Sequence, residues 1–95
     1  MLHIVNKSHR QSGALASCLR LAQPGAALLL IEDAVYAATA ASEMIAALAP
    51  LKVYALQPDV DARGMAGKLA DGVTAVDYGG FVDLVAEHSC NQSWL

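Results

Sequence analysis

Apolar residues along the chain fall into short unbroken runs that alternate with longer stretches at helical spacing. Unbroken runs are typical of strands buried on both faces of a parallel sheet. They predict strands at residues 2–5, 27–31, 51–56 and 73–76. Helical spacing predicts helices at residues 11–22, 34–48 and 79–88, with a short helical turn at 59–64. Strands that alternate with helices in this order indicate right-handed crossovers and a parallel sheet.

The fold expected from this order is α/β, in one small flavodoxin-like domain that spans residues 1–95. Its sheet should be mostly parallel, with four to five strands and with helices on both faces. A chain of 95 residues leaves no room for a second hydrophobic core. Residues 91–95 are too few to assign, and two interpretations stay open: an edge strand, or a segment that reaches a neighbouring molecule.

Local signals refine the helices. Asp33, Asp59 and Asp77 stand just before predicted helices, where aspartate is a preferred N-cap. The helix at residues 34–48 is expected to be continuous, because it is rich in alanine and lacks glycine and proline. Pro50 then ends it. The apolar stripe of the last helix is predicted to consist of Phe81, Val82, Leu84 and Val85.

The amino-acid composition indicates that part of the surface is covered by other subunits. Charged residues make up only 16% of the chain and hydrophobic types 56%, whereas ordinary soluble domains have roughly 25% charged residues. We therefore expect interfaces with other subunits. The net charge is −3 and the six Lys and Arg residues are scattered. This balance argues against direct nucleic-acid binding by the chain alone.

No membrane anchor or export signal is predicted. The longest aliphatic run, residues 26–31, is far shorter than a membrane span. The first residues lack the basic segment and the long apolar run of a signal peptide. Two cysteines are too few for a disulfide scaffold. We expect a cytoplasmic protein.

Polar residues that follow the strands carry the candidate chemistry, because functional groups of parallel sheets lie beyond the carboxyl ends of the strands. No glycine-rich phosphate loop follows the first strand, so no nucleotide cofactor is expected. His3, His9 and His88 lack metal-ligand spacing, and no metal site is expected. Glu32 and Asp33 are neighbours at a strand end, where adjacent side chains point to opposite faces, so no shared carboxylate pair is implied.

Three further residues have structural interpretations. His3 lies in a strand as a half-buried, hydrogen-bonded residue. His88 stands at a helix C-terminus, where a cation complements the helix dipole. Trp94 is either a local part of the core or an anchor at an interface, where aromatic residues are enriched.

Cys18 is the side chain best suited to group transfer. A thiolate accepts a sulfur atom as a persulfide and passes it on by exchange with another cysteine, which requires exposure and a lowered pKa. The competing interpretation is a buried thiol, because Cys18 shares the apolar stripe of its helix with Leu15 and Leu19. Arg20 lies around the side of that helix and is not an obvious activator. Cys90, near the end of the chain, is expected to be the more exposed thiol.

Motifs throughout the chain resemble those of a known family. They are MLHIVNKS at residues 1–8, LLLIED with VYA at 28–37, LKVYAL with PD and ARG at 51–64, VDY and FVDL at 76–84, and QSW at 92–94. In order and spacing they are similar to the TusB/DsrH family of sulfur-relay subunits. No single motif is diagnostic, but the set is specific and runs nearly from end to end.

The resemblance implies a DsrEFH-like α/β subunit of a heterohexamer that contains two copies of each of three chains. The implied partners are of the TusC/DsrF and TusD/DsrE types, and the complex relays persulfide sulfur to a TusE/DsrC-type carrier. One branch of the family serves 2-thiolation of the wobble uridine in tRNA, and the other serves dissimilatory sulfur oxidation. The family's principal sulfur-accepting cysteine lies in the TusD/DsrE-type subunit rather than in this one.

The resemblance also bears on single residues. Ser17-Cys18-Leu19-Arg20 matches the first-helix cysteine context of the DsrH-like branch, which favours Cys18 as a possible persulfide carrier. Some TusB-like members lack this cysteine, so it is not essential to the whole family. Ala34 stands where the family usually carries glycine, which argues against a ligand-facing tight turn there. Cys90 has no family counterpart that we can assign.

Three hypotheses follow from the sequence. The first is a relay subunit that carries persulfide on Cys18, and the second is a non-catalytic subunit that stabilises a partner's cysteine. The third is an unrelated flavodoxin-like binding module, which the missing glycine loop disfavours. In the first two, helix faces of small residues are expected to pack against sister subunits, and the isolated chain should self-associate or be poorly soluble. The residues named for these faces are Ala37, Ala38, Ala41 and Ala46.

Overall fold

A computed structural model describes residues 1–94 and contains a five-stranded sheet in which every strand is parallel to its neighbours. The strands are β1 (Leu2–Val5), β2 (Ala27–Leu30), β3 (Lys52–Leu56), β4 (Thr74–Val76) and β5 (Asn91–Trp94). Their order in the sheet is β4-β3-β2-β1-β5. The predicted α/β class and the parallel sheet are therefore confirmed.

The connections run on both faces of the sheet. The helices are α1 (Ala14–Leu21), a 3₁₀ helix (Glu32–Ala38), α2 (Ile45–Leu48), α3 (Gln57–Ala62) and α4 (Tyr78–Glu87). The crossovers from β1 to β4 all step in one direction, so right-handed connections bring their helices to one face. The crossover from β4 to β5 returns past β1, and α4 therefore covers the opposite face.

Two hydrophobic clusters correspond to these faces. The first face, covered by α1, the 3₁₀ helix and α3, buries Leu28 and Leu30 of β2. The second face, covered by α4, buries Ala27 and Leu29 of the same strand together with Leu84 of the helix. Because side chains alternate along a strand, the unbroken apolar run of β2 supplies both clusters.

The expected continuous helix at residues 34–48 is wrong. The chain forms a 3₁₀ helix, then a turn, and only a four-residue helix α2. Between them Thr39 forms an antiparallel bridge with Leu69, and the N–H of Ala40 donates to the carbonyl of Lys68. The hydroxyl of Ser42 accepts from the N–H of Met44 at 3.0 Å. These bonds replace helical ones, and they outweigh the small helix preference of alanine.

The expected small-residue interface is partly wrong for the same reason. Ala37 and Ala38 are fully buried in the first cluster of the chain's own core. The 3₁₀ helix turns them toward the sheet, so they are not available to a sister subunit. Ala41 and Ala46 are exposed.

One of the three predicted N-caps is correct. The carboxylate of Asp77 accepts from the N–H of Gly80 at 2.8 Å at the start of α4. Asp33 and Asp59 instead lie within the first turns of their helices, which both begin two residues earlier than predicted. Val82 is 64% exposed, so its place in the apolar stripe of α4 is also wrong. Leu84 is the residue of that stripe buried against the sheet.

Strand β5 resolves the two interpretations of the last residues in favour of an edge strand. Asn91 pairs with Leu2 and Trp94 pairs with Val5 in a parallel ladder. Trp94 packs against the first cluster, and its indole N–H donates to Nδ1 of His3 at 3.2 Å. Leu95, the last residue of the unassigned segment, lies outside the described residues.

Candidate functional site

The carboxyl ends of the central strands carry a polar cluster around Arg63. Its Nε donates to Oδ1 of Asp33 at 2.9 Å, and its Nη1 donates to the backbone carbonyl of Asp59 at 3.3 Å. Arg63 follows α3, whereas Asp33 lies in the 3₁₀ helix that follows β2. The guanidinium therefore ties the ends of two crossovers together, and Asp33 serves as an ion-pair partner.

Glu32 has an unusual backbone at the same edge. Its φ is 50°, in the left-handed region that non-glycine residues seldom adopt. The N–H of Glu32 donates to Oδ2 of Asp59 at 2.7 Å, which holds this conformation. A left-handed backbone at a non-glycine residue costs on the order of 1 kcal/mol or more, so the surrounding contacts must impose this conformation on Glu32. Asp33 is therefore held through its carboxylate by Arg63, and Glu32 is held through its backbone by Asp59.

A second polar cluster joins the loop after β1 to the segment before α2. Oε1 of Glu43 accepts from Nε2 of His9 at 2.9 Å, and its Oε2 accepts from Nη2 of Arg10 at 3.3 Å. Hydrogen bonds from its own backbone N–H, from His9 and from Arg10 lower the pKa of Glu43 to about 2. The side chain of His9 is only 9% exposed, whereas that of Arg10 is 75% exposed. Glu43 is therefore a carboxylate at neutral pH.

An open cleft of about 370 Å³ lies beside this second cluster. Its polar lining includes Ser8, Tyr36, Thr39 and Ser42 in addition to the three clustered side chains. The hydroxyls of Ser8 and Ser42 accept hydrogen bonds from the N–H groups of Arg10 and Met44. They stabilise turns in this way, and neither is hydrogen-bonded to a base. The cleft offers a polar surface and no activated nucleophile among the described residues.

Cys18 lies in the core and not in this cleft. It is fully buried on the inner side of α1, within the first cluster that also contains Leu15. Burial raises the pKa of its thiol to about 11. Arg20 is exposed and donates to Oγ of Ser17 at 3.0 Å. The guanidinium is therefore engaged away from the thiol.

Cys90 is exposed, as expected, and directly precedes β5. Its carbonyl accepts from the N–H of Leu2 at 3.0 Å, so its backbone is part of the sheet edge. Across residues 1–94, no three His, Cys, Asp or Glu side chains lie close enough to bind a metal ion together. No helix in that part of the chain is long and apolar enough to cross a membrane.

The remaining histidines have hydrogen-bonded positions. His88 is the C-cap of α4, and its Nδ1 donates to the carbonyl of Leu84 at 2.8 Å. His3 is 3% exposed, more buried than expected, and it is hydrogen-bonded as predicted. Trp94 forms part of the local core packing, one of the two interpretations of this residue.

The sequence pattern does not predict the cluster of His9, Arg10 and Glu43. Glu43 is 34 residues from His9 along the chain, and the predicted continuous helix places it in the helix interior. The contact forms only because the chain turns between Thr39 and Ser42. The polar residues after β1 are the one sequence signal that marks this part of the site.

The fold and its carboxyl edge define a small α/β protein with an all-parallel sheet, and solved structures share this architecture. The crystal structure of the ychN protein from E. coli matches with a TM-score of 0.81 and 23% identity, over 97% of each chain. The protein of unknown function MTH1491 from Methanobacterium thermoautotrophicum matches with a TM-score of 0.72 and 19% identity. That match covers 97% of this chain and 95% of the other. At these identities, the likeness concerns the fold alone.

Sequence comparison gives the family. The family described as "DsrH like protein" matches residues 7–91. A protein named TusB from Klebsiella pneumoniae (strain 342) is 42% identical over 96 residues, and one from Escherichia coli O81 (strain ED1a) is 38% identical over 96 residues. Both matches cover 99% of this chain and 100% of the relative. The chain belongs to the TusB/DsrH family, which supports its role as a subunit of a sulfur-relay complex.

Proposed function

We propose that the chain is a non-catalytic subunit of a heterohexameric sulfur-relay complex, where it stabilises the partner that bears the sulfur-accepting cysteine. The partners proposed are TusC/DsrF-like and TusD/DsrE-like subunits, in two copies each. The complex passes persulfide sulfur to a TusE/DsrC-like carrier. The observation that carries this role for the chain is the full burial of Cys18.

Sulfur transfer requires a thiolate that a donor persulfide can reach. Burial raises the pKa of Cys18 to about 11, so its side chain is a neutral thiol at pH 7. The chemistry also needs room for the attacking and leaving sulfur atoms, and Cys18 has 0% exposure within the first cluster. Both features support a packing role for Cys18.

The surface of the chain supports the proposed partners. Tyr78 and Val82, one helical turn apart on α4, are 63% and 64% exposed. Large apolar side chains that meet on one helix face are typical of protein interfaces. Leu21, at the end of α1, is 66% exposed on the other side of the sheet. Such surfaces agree with the low fraction of charged residues and with the expected self-association of the isolated chain.

The final acceptor in this proposal is reached through other proteins. A net charge of −3 gives the chain no favourable field for a phosphate backbone. The pathway proposed is 2-thiolation of the wobble uridine of tRNA or dissimilatory sulfur oxidation, in the cytoplasm where thiols stay reduced. Loss of 2-thiouridine from tRNA after deletion of the gene would select the first pathway, and loss of sulfur oxidation would select the second.

The test of the non-catalytic role is intact-protein mass after the assembled complex is incubated with a persulfide donor. We expect no sulfur addition at Cys18, and we expect the Cys18→Ala complex to deliver sulfur to the carrier at the unaltered rate. Cys90→Ser is the matched control, because Cys90 is the exposed thiol. This substitution removes any sulfur addition that results from exposure alone.

The alternative role makes the opposite prediction. A gain of one sulfur atom that Cys18→Ala abolishes and Cys90→Ser retains would establish Cys18 as a persulfide carrier. The core of the subunit would then have to open during relay. Failure of the chain to co-purify with the two partner types would overturn the proposed complex itself.

A further inference from the structure

We propose that His3 and Trp94 form a protonation-sensitive latch that holds the C-terminal strand β5 on the edge of the sheet. This device is independent of the sulfur-relay assignment, because it lies within one chain. Asn91, Gln92 and Ser93 are exposed, and within residues 1–94 the backbone of β5 pairs with β1 alone. Trp94 is the residue of β5 that packs against the core. The attachment of the strand therefore depends strongly on this one side chain.

The hydrogen bond between the two rings specifies the protonation state of His3. An indole N–H is a donor only, so Nδ1 of His3 must accept, which requires a neutral ring with its proton on Nε2. The donor–acceptor distance is 3.2 Å, and the ring centroids lie 6.2 Å apart at a tilt of 37°. A proton on Nδ1 would place two N–H donors against each other and put a charge in a site that is 3% exposed.

The elements packed around His3 offer no compensation for a positive charge. Its partner on β2 is Leu28, and the inward-facing residues of α1 are Leu15 and Cys18. Over their described residues, α1, β2 and β5 contain no carboxylate; the one charged side chain is that of Arg20, which is exposed on α1. Burial, together with the positive N-terminus of Met1, lowers the pKa of His3 below its usual 6.5.

The sign of the pH dependence follows from this direction. An unfolded chain protonates His3 near pH 6.5, whereas the latched state resists protonation to a lower pH. The stabilisation from the neutral latch is therefore fully present above pH 6.5. It is lost as the pH falls from 6.5 through the lowered pKa of His3. Acid then weakens the attachment of β5 before it affects the central strands.

The test uses the full-length chain and two readouts. Trp94 is the only tryptophan, so its fluorescence reports on the latch alone. Amide hydrogen exchange of residues 91–94, corrected for the intrinsic effect of pH, reports on the strand. Between about pH 7.5 and about pH 4.5 we expect a fluorescence step and several-fold faster exchange in β5, with an unchanged far-UV circular dichroism spectrum.

Variants separate the latch from general acid effects. His3→Asn keeps a neutral acceptor near the position of Nδ1 and cannot be protonated, so it should abolish the step and retain protection at neutral pH. Trp94→Phe removes the donor and should speed exchange of β5 at neutral pH. His88→Asn is the matched control and should retain the step. A step that persists in His3→Asn, a wild-type chain without a step, or a simultaneous loss of helical signal would each overturn the proposal.

Discussion

The two faces of the sheet are covered very unequally. Among residues 1–94, fourteen buried residues form the cluster on the first face and five form the cluster on the second. The first face lies under α1, the 3₁₀ helix and α3, whereas α4 covers the second face. The first face therefore contributes most of the hydrophobic stabilisation of the fold, since this free energy scales with the apolar area buried.

The unequal cover also separates two roles of the apolar residues. On the first face the apolar residues pack within the chain's own core, and Cys18, Ala37 and Ala38 are all fully buried there. On the second face α4 presents apolar side chains in both directions, with Leu84 inward and Val82 outward. The well-covered face is thus suited to holding the fold, and the thinly covered face is suited to binding a partner.

The largest expected effect comes from a cavity on the first face. Leu28→Ala should lower the free energy of unfolding by about 2–5 kcal/mol, because Leu28 is fully buried in the central strand β2. Urea denaturation followed by circular dichroism measures it. Leu21→Ala removes the same atoms from a side chain that is 66% exposed, and should change stability by less than about 0.5 kcal/mol. Similar losses in both variants would contradict the assigned role of the first face.

A smaller effect is expected from the cap of the helix on the second face. Asp77→Ala removes the hydrogen bond to the N–H of Gly80 and should cost about 1 kcal/mol. Amide exchange should rise in α4 and stay unchanged in α1, because the two helices cover different faces. Asp83→Ala, which removes an exposed carboxylate within the same helix, is the control. Equal losses in the two variants would show that charge and not capping is responsible.

The smallest effect on stability, with a large effect on assembly, is expected at the outer side of α4. Val82→Glu should alter the free energy of unfolding by no more than about 0.5 kcal/mol, since the side chain is 64% exposed. It should nevertheless reduce the recovery of the proposed partners in co-purification, because a charge would be buried at the interface. Asp83→Asn changes the charge by the same amount in the opposite sense, one residue along the helix, and is the control for charge alone. Normal recovery with Val82→Glu would remove this face from the interface.

Much of the fold was predictable because its signals are local. The unbroken apolar runs of β1, β2 and β3 placed each of these strands to within one residue, and Asp77 correctly marked the start of α4. Parallel strands that are buried on both faces need such runs, so the pattern and the structure share one physical cause.

The segment between Ala34 and Leu48 was not predictable because its structure depends on distant residues. Its helix propensity is high, but Thr39 forms a bridge with Leu69, 30 positions away, and this bridge ends the 3₁₀ helix. The same turn brings Glu43 to His9, so an error in the segment concealed the second polar cluster. The apolar stripe of α1 did indicate that Cys18 could be buried, and resemblance to the DsrH-like branch favoured the opposite role. Burial of a single residue depends on which elements cover it, which composition does not reveal.

The pairing of β1 with β5 has a consequence for synthesis of the protein. The N–H of Leu2 donates to the carbonyl of Cys90, so β1, which is synthesised before the other described strands, receives its second neighbour only when β5 has been made. Until then the nascent chain exposes an unpaired edge of β1, a strand whose residues, such as Val5, are buried in the folded protein. An edge of this kind is prone to pair with other chains during folding. Translation speed and the early arrival of chaperones or partner chains should therefore affect the yield of this protein more than its final stability would suggest.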